Sequence, residues 1–158
     1  MADRTDVVVR ALRPEDLDEM LDVWVAAWQA AYREIDFAAR REWARGHIAE
    51  LEQTGSRSLI ATCANRIVGA MVVDPATGYL DQIVVATELQ GRGIAAALLA
   101  QARRIAPAGL ELHVNQDNAR AIRFYEKHGF ATVGEDVNSR SGAPTFRMRW
   151  EPPNRQVP

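Results

Sequence analysis

Hydrophobic positions repeat with two different periods along this chain, and the change of period divides it. Residues 7–12 form a short apolar run that predicts a first strand. Pro14 suits the first position of a helix, and Glu15 and Asp16 are favourable in its first turn. Leu17, Met20, Leu21, Trp24, Val25 and Trp28 follow at steps of 3, 1, 3, 1 and 3. Such steps place one apolar stripe along one side of a helix. A second helix is expected from about 36 to 52, with Phe37, Ala44, Ile48 and Leu51 on one side and Gly55 beyond its end.

From residue 58 the period shortens. Residues 58–64 and 67–73 are rich in β-branched side chains and are separated by Asn65-Arg66, which predicts a hairpin. Asp74-Pro75-Ala76-Thr77-Gly78 is turn chemistry. A strand at 79–85 would put Tyr79, Asp81, Ile83 and Val85 on one face and Leu80, Gln82 and Val84 on the other. Residues 93–106 read as a helix, stopped by Pro107 and Gly109, and 110–115 as a strand. Asp117 or Asn118 can cap a helix that runs to about Lys127, with Gly129 as its left-handed closing residue. Two last strands, 130–137 and 145–150, flank the polar segment 138–144. Residues 1–150 thus read as one domain and 151–158, with three prolines, as a disordered tail. Strands and helices in this order suggest an α+β or α/β architecture, a mixed sheet with helices on both faces.

Composition narrows the classes. With 158 residues, 47% hydrophobic and 25% charged, the chain can bury a proper core and is ordinary for a globular protein. A net charge of −2 gives no reason to expect nucleic acid or an acidic membrane surface as partner. A lone cysteine, Cys63, cannot form an intramolecular disulfide, which fits a cytoplasmic location. Residues 1–10 are too short and too charged for a signal peptide, and no apolar run approaches the ~20 residues that span a bilayer. No Cys/His cluster has metal-ligand spacing, so no metal is expected.

The candidate chemistry begins at Gln90-Gly91-Arg92-Gly93-Ile94-Ala95, where the strand gives way to the third helix. Glycines let the backbone approach a ligand closely, and the free N–H groups of a helix start suit a phosphate. Read alone, the run fits a plain strand-to-helix loop, a dinucleotide site or another phosphate cradle. Gly91 to Ala96 satisfies the relaxed dinucleotide pattern G-x-G-x-x-A, and Glu111 stands twenty positions after Gly91. Against that reading, five residues separate Val85 from Gly91, and only one helix and three strands follow the helix that the run opens.

A second motif follows: Asn115-Gln116-Asp117-Asn118-Ala119-Arg120-Ala121-Ile122-Arg123-Phe124-Tyr125-Glu126-Lys127-His128-Gly129-Phe130. Together the two resemble the GNAT superfamily of acyl-CoA-dependent N-acyltransferases. Gln90, Gly93 and Ala95 occupy the defining places of its Q/R-x-x-G-x-G/A cofactor motif, and residues 115–130 match its N-x-x-N-x-x-A-x-x-F-Y-x-x-x-G-F helix motif. The strand Ile83-Val84-Val85 before the loop is typical as well. The motifs cover roughly residues 79–130.

The resemblance implies a three-layer fold with a mostly antiparallel sheet of about seven strands, the fourth and fifth splayed apart. It implies acetyl-CoA as acyl donor, with its pyrophosphate on the amides of Gln90, Gly91, Arg92, Gly93, Ile94 and Ala95. The strand residues Ile83, Val84 and Val85 would line the pantetheine arm, with backbone groups of Ile83 and Val85 holding it, and Asn118 would cap its helix and touch the cofactor. Tyr125 would protonate the departing thiolate. The activity implied is acetyl transfer to a primary amine by direct attack, since Ser56, Ser58, Ser139 and Ser141 lack a nucleophile-elbow context. A base for the amine is open: Asp81 and His113 are both candidates. Trp24, Trp28 and Trp43 either line the acceptor pocket or belong to the core. An acyl-CoA sensor without turnover and a donor other than acetyl-CoA remain alternatives. Homodimers are common in the family, and the acceptor is a small molecule or peptide that the motifs do not identify.

Overall fold

A computed structural model describes residues 6–153 of the chain. The first strand, β1 (Val7–Ala11), leads through a short 3-10 turn at Pro14–Asp16 into α1 (Leu17–Ala31). Asp16 ties that entry down. It accepts the Arg13 backbone N–H at 2.8 Å and pairs with Arg10 of β1 at 2.7 Å. The arginine holds its carboxyl well below the usual range, at about 2. Met20, Leu21 and Trp24 of the expected stripe are buried, while Leu17, Val25 and Trp28 are half-buried at its edges. The second helix, α2 (Arg41–Gln53), is shorter than expected because Ala38–Arg40 forms a separate 3-10 turn.

β2 (Arg57–Cys63) and β3 (Arg66–Val73) pair antiparallel. Their turn residues are Ala64 and Asn65, at φ 52° and 65°, one position earlier than expected. A tight hairpin turn needs positive φ at both central residues, and asparagine tolerates it. Arg66 is thereby released to begin β3. β4 (Leu80–Val85) pairs with β3, and α3 (Ile94–Ile105) follows a 3-10 turn at Thr87–Leu89. β5 (Leu110–Asn115), α4 (Ala119–Lys127), β6 (Ala131–Val137) and β7 (Pro144–Trp150) complete the order. Of the tail expected at 151–158, residues 154–158 lie outside the described residues.

The seven strands form two antiparallel sheets, β1-β2-β3-β4 and β5-β7-β6. They meet in parallel at one bridge, Tyr79 to Glu111, beside which the Glu111 N–H donates to Gly78 O at 3.0 Å. Gly78 makes this approach attainable. It sits at φ +76°, and a Cβ there would lie 2.1 Å from the Gly109 carbonyl oxygen. Beyond the bridge, β4 and β5 part. α1 and α2 cover one face over Leu21, Trp24, Ile48, Ile60 and Val84. α3 and α4 cover the other, where Leu98, Leu99, Leu110, Leu112 and Met148 make a core that spans both sheets. Each fully buried aliphatic side chain there stabilises the fold by roughly 1.5–3 kcal/mol.

Strict alternation along β4 fails at one place. Val73 pairs with Leu80 and Val72 with Gln82, so Asp81 is an extra residue, a β-bulge. Leu80, Ile83 and Val85 consequently share the α3 side, against the expected grouping of Asp81 with Ile83 and Val85. The bulge turns Asp81 toward α2 instead.

Candidate functional site

The gap between β4 and β5 is built by backbone geometry. The Ala86 N–H donates to Val68 O of β3 at 2.8 Å. Strand N–H groups alternate sides, so that of Val84 also faces β3, while those of Ile83 and Val85 face the gap. The Val84 side chain is buried beneath α1. Two unpaired N–H groups therefore line one wall of the wedge, as on a free sheet edge.

The glycine run lies at the wedge's open end. Gly91 and Gly93 adopt φ +82° and +85°, and a Cβ on either would meet no protein atom within 4 Å. Positive φ rather than crowding calls for glycine here, and the space beside both is open. Gly93 is the N-cap of α3 and brings no side-chain hydrogen bond, so the first-turn amides after it stay free. Gln90 and Arg92 flank the same loop. Glu111 stands at the opposite end of the wedge, at the start of β5, and Arg147 lies 3.8 Å from its carboxylate. A dinucleotide site would need that acid near the glycines, so the geometry counts against that alternative.

Asn118 caps α4, its Oδ1 accepting the Ala121 N–H at 3.2 Å. The rival cap, Asp117, accepts instead from the Tyr32 hydroxyl at 2.7 Å, and the Asn115 amide donates to the same hydroxyl at 3.0 Å. That link joins the end of α1 to the end of β5. On the other face Tyr125 packs edge-on to Phe124 and Phe130, at 5.4 and 5.5 Å between ring centroids. Desolvation pushes its phenol up to about 12. The hydroxyl therefore keeps its proton through neutral pH and is available as a donor.

The α1/α2 side of the wedge carries polar groups that periodicity could not assemble. His113 receives the Tyr79 hydroxyl on Nδ1 at 2.7 Å and meets Asp136 through Nε2 at 2.9 Å. Both ring nitrogens of His113 are thereby engaged. Burial first, then Asp81, Glu111 and Asp136, raise the Tyr79 phenol to about 12. Asp81, delivered by the bulge, lies 2.9 Å from Nε2 of His47 on α2. The His47 ring stacks on Trp43 at 4.7 Å and 13°, and the Arg140 guanidinium, from the β6–β7 connection, lies 3.8 Å over Trp43. Trp24 is core, at 5% exposure, and Trp28 stacks between Tyr32 and Phe37. Trp43 lies against this polar cluster. His47 was missed because its partner is 34 residues away and no local pattern links them.

The profile of the Acetyltransferase (GNAT) family matches residues 17–130. The chain belongs to that family. It is 28% identical over 144 residues to the peptidyl-lysine N-acetyltransferase YjaB of Salmonella typhimurium, covering 86% of this chain and 91% of that protein. A mycothiol acetyltransferase of Brachybacterium faecium is 42% identical over 64 residues, 37% of this chain and 19% of that one. Among solved structures, PaiA N-acetyltransferase from Thermoplasma acidophilum in complex with coenzyme A superposes with a TM-score of 0.76, at 21% identity, over 93% of this chain and 99% of that one. Apo YjaB from Escherichia coli gives 0.74 at 22% identity, over 91% and 97%. As a GNAT protein the chain is an acyltransferase, and acetyl-CoA is the co-substrate its family uses. Among the described residues no group of three His, Cys, Asp or Glu side chains is arranged to hold a metal ion, and no helix is long and apolar enough to cross a membrane.

Proposed function

We propose that this acetyltransferase moves an acetyl group from acetyl-CoA to a primary amine by direct attack within a ternary complex. One observation carries the reading: β4 and β5 part beyond a single bridge, with a left-handed glycine loop at the open end. An extended pantetheine arm fits such a gap as an added strand would, bonded to Ile83 and Val85. Val84, between them, keeps that strand seated under α1. The pyrophosphate is then met by the amides of residues 90–95, with Arg92 at the rim and Asn118 beside the arm.

In the reaction the amine nitrogen bonds to the thioester carbon while the carbonyl π pair moves onto oxygen. An N–H of the β4 wall donates to that oxygen. As the C–S bond breaks, Tyr125 donates to sulfur and recovers a proton shed by the new amide nitrogen. A phenol at about 12 is a weak acid beside an ordinary thiol at roughly 8.5. The burial that raises the phenol would raise a thiol in the same place, which narrows the gap.

The acceptor favoured is an amine that is cationic at neutral pH, such as a lysine side chain. YjaB is named for peptidyl-lysine. Asp81, Glu111 and Asp136 all bear on Tyr79 on the acceptor side of the wedge. The test is thiol release from acetyl-CoA over a panel of amines and lysine peptides, with calorimetry for CoA and NAD. The expected result is CoA binding, no NAD binding, and the mass of one acetyl group gained by an amine. CoA binding with no turnover on any amine would replace this reading with a sensor.

A further inference from the structure

An ammonium cannot attack. A lysine-type amine, with a pKa of roughly 10.4, is neutral in only about one molecule in 2,500 at pH 7. The acceptor must therefore lose a proton at the site, to a group beside the wedge. Two imidazoles stand on that face. Both nitrogens of His113 are already engaged, by Tyr79 and by Asp136. Among the described residues His47 is hydrogen-bonded through Nε2 alone, and its side chain is 26% exposed.

We infer that His47 is the proton acceptor for the incoming ammonium and that Asp81 is its positioning residue. This rests on acetyl transfer to an amine as proposed above. With its proton on Nε2, toward the Asp81 carboxylate, the ring carries its lone pair on Nδ1. Stacking on Trp43 fixes the plane of the ring. The bulge brings this pair to the reacting end, since Asp81 precedes Ile83 by two residues, about 7 Å along a strand. One proton passes from R–NH3+ to Nδ1 and on to solvent, while the imidazolium is balanced by the Asp81 carboxylate. The neutral amine then bonds to the thioester carbon. Its second proton follows the route through Tyr125 to sulfur, so amide, CoA thiol and one released proton account for every atom. The charged and titratable groups around His47 are Asp81 from β4, with Tyr79 beside that carboxylate just before the strand, Arg140 from the β6–β7 connection, and Glu50 three residues on along α2.

A strut between α2 and β4 would show the same pair, so the test must read more than loss of activity. His47→Gln keeps a polar contact to Asp81, and His47→Phe keeps the stack on Trp43. The pH dependence of kcat/KM for the amine is measured for both and for Asp81→Asn, at saturating acetyl-CoA. Melting temperature and CoA affinity are read alongside. For wild type the expected profile falls on the acid side with the titration of one group. In both His47 variants that limb disappears and kcat falls about 10²-fold or more at neutral pH, with CoA affinity unchanged. The loss shrinks for a weakly basic amine that arrives neutral. Asp81→Asn retains the limb but displaces it. If either His47 variant folds and keeps both the limb and kcat, the inference is overturned. It is equally overturned if weakly and strongly basic amines lose rate alike. A wild-type protein that binds CoA yet acetylates no amine overturns the functional reading itself, a different result from an active wild type with an indifferent His47.

Discussion

Two single residues, Tyr125 and Gly78, carry direct tests of the proposed site. A phenol held at about 12 by burial is lost as a donor only when the pH rises through that value. Tyr125→Phe is therefore expected to lower kcat by about 10- to 100-fold with CoA affinity unchanged. The basic side of the wild-type pH profile should stay flat to about pH 10. Gly78→Ala tests the wedge's apex. Its Cβ would lie 2.1 Å from the Gly109 carbonyl oxygen at a φ of +76°. The left-handed backbone alone costs about 1–2 kcal/mol, and relieving the contact adds to it. A melting temperature lower by roughly 5–10 °C is expected, with CoA binding weakened because the two strands can no longer meet.

At the scale of elements, most boundaries could be read from periodicity. The α1 stripe, the β5 limits and the Asn118 cap follow from one-dimensional rules and appear as expected. Asp81 shows where such rules stop. Alternation assumes one residue per step, and an extra residue in β4 exchanges the faces beyond it. Nothing local in the run Tyr79-Leu80-Asp81-Gln82 announces that, because the bulge is decided by how β4 fits β3. The same limit hid His47, whose meaning comes from a strand that lies against it only in three dimensions. The start of α1 yields a prediction with a definite sign. Asp16 titrates near 2 when folded, below its ordinary value of 3.8. Its contribution is thus complete above about pH 4 and lost as the pH falls toward 2. Asp16→Asn should melt below wild type at pH 7, and the difference should vanish by about pH 2, checked by thermal melts across that range.

For the whole molecule, the single bridge between the sheets has a consequence for motion. Side chains cross between the two halves, but among the described residues the backbones along the β4–β5 line are joined only at Tyr79 and Glu111 and by the bond from the Glu111 amide to Gly78. Amide exchange should divide accordingly. Without ligand, the β5-β7-β6 half can open without melting β1 to β4, and its amides should trade hydrogen for deuterium sooner. A bound donor molecule lying along both edges would link the halves. Added CoA should then slow exchange in β4 and β5 and spread that protection into β7, read by mass spectrometry of peptides from each strand. The cosubstrate would serve, for as long as it stays, as a removable strand of the protein, so the two sheets would be held to one another only while the CoA moiety is bound.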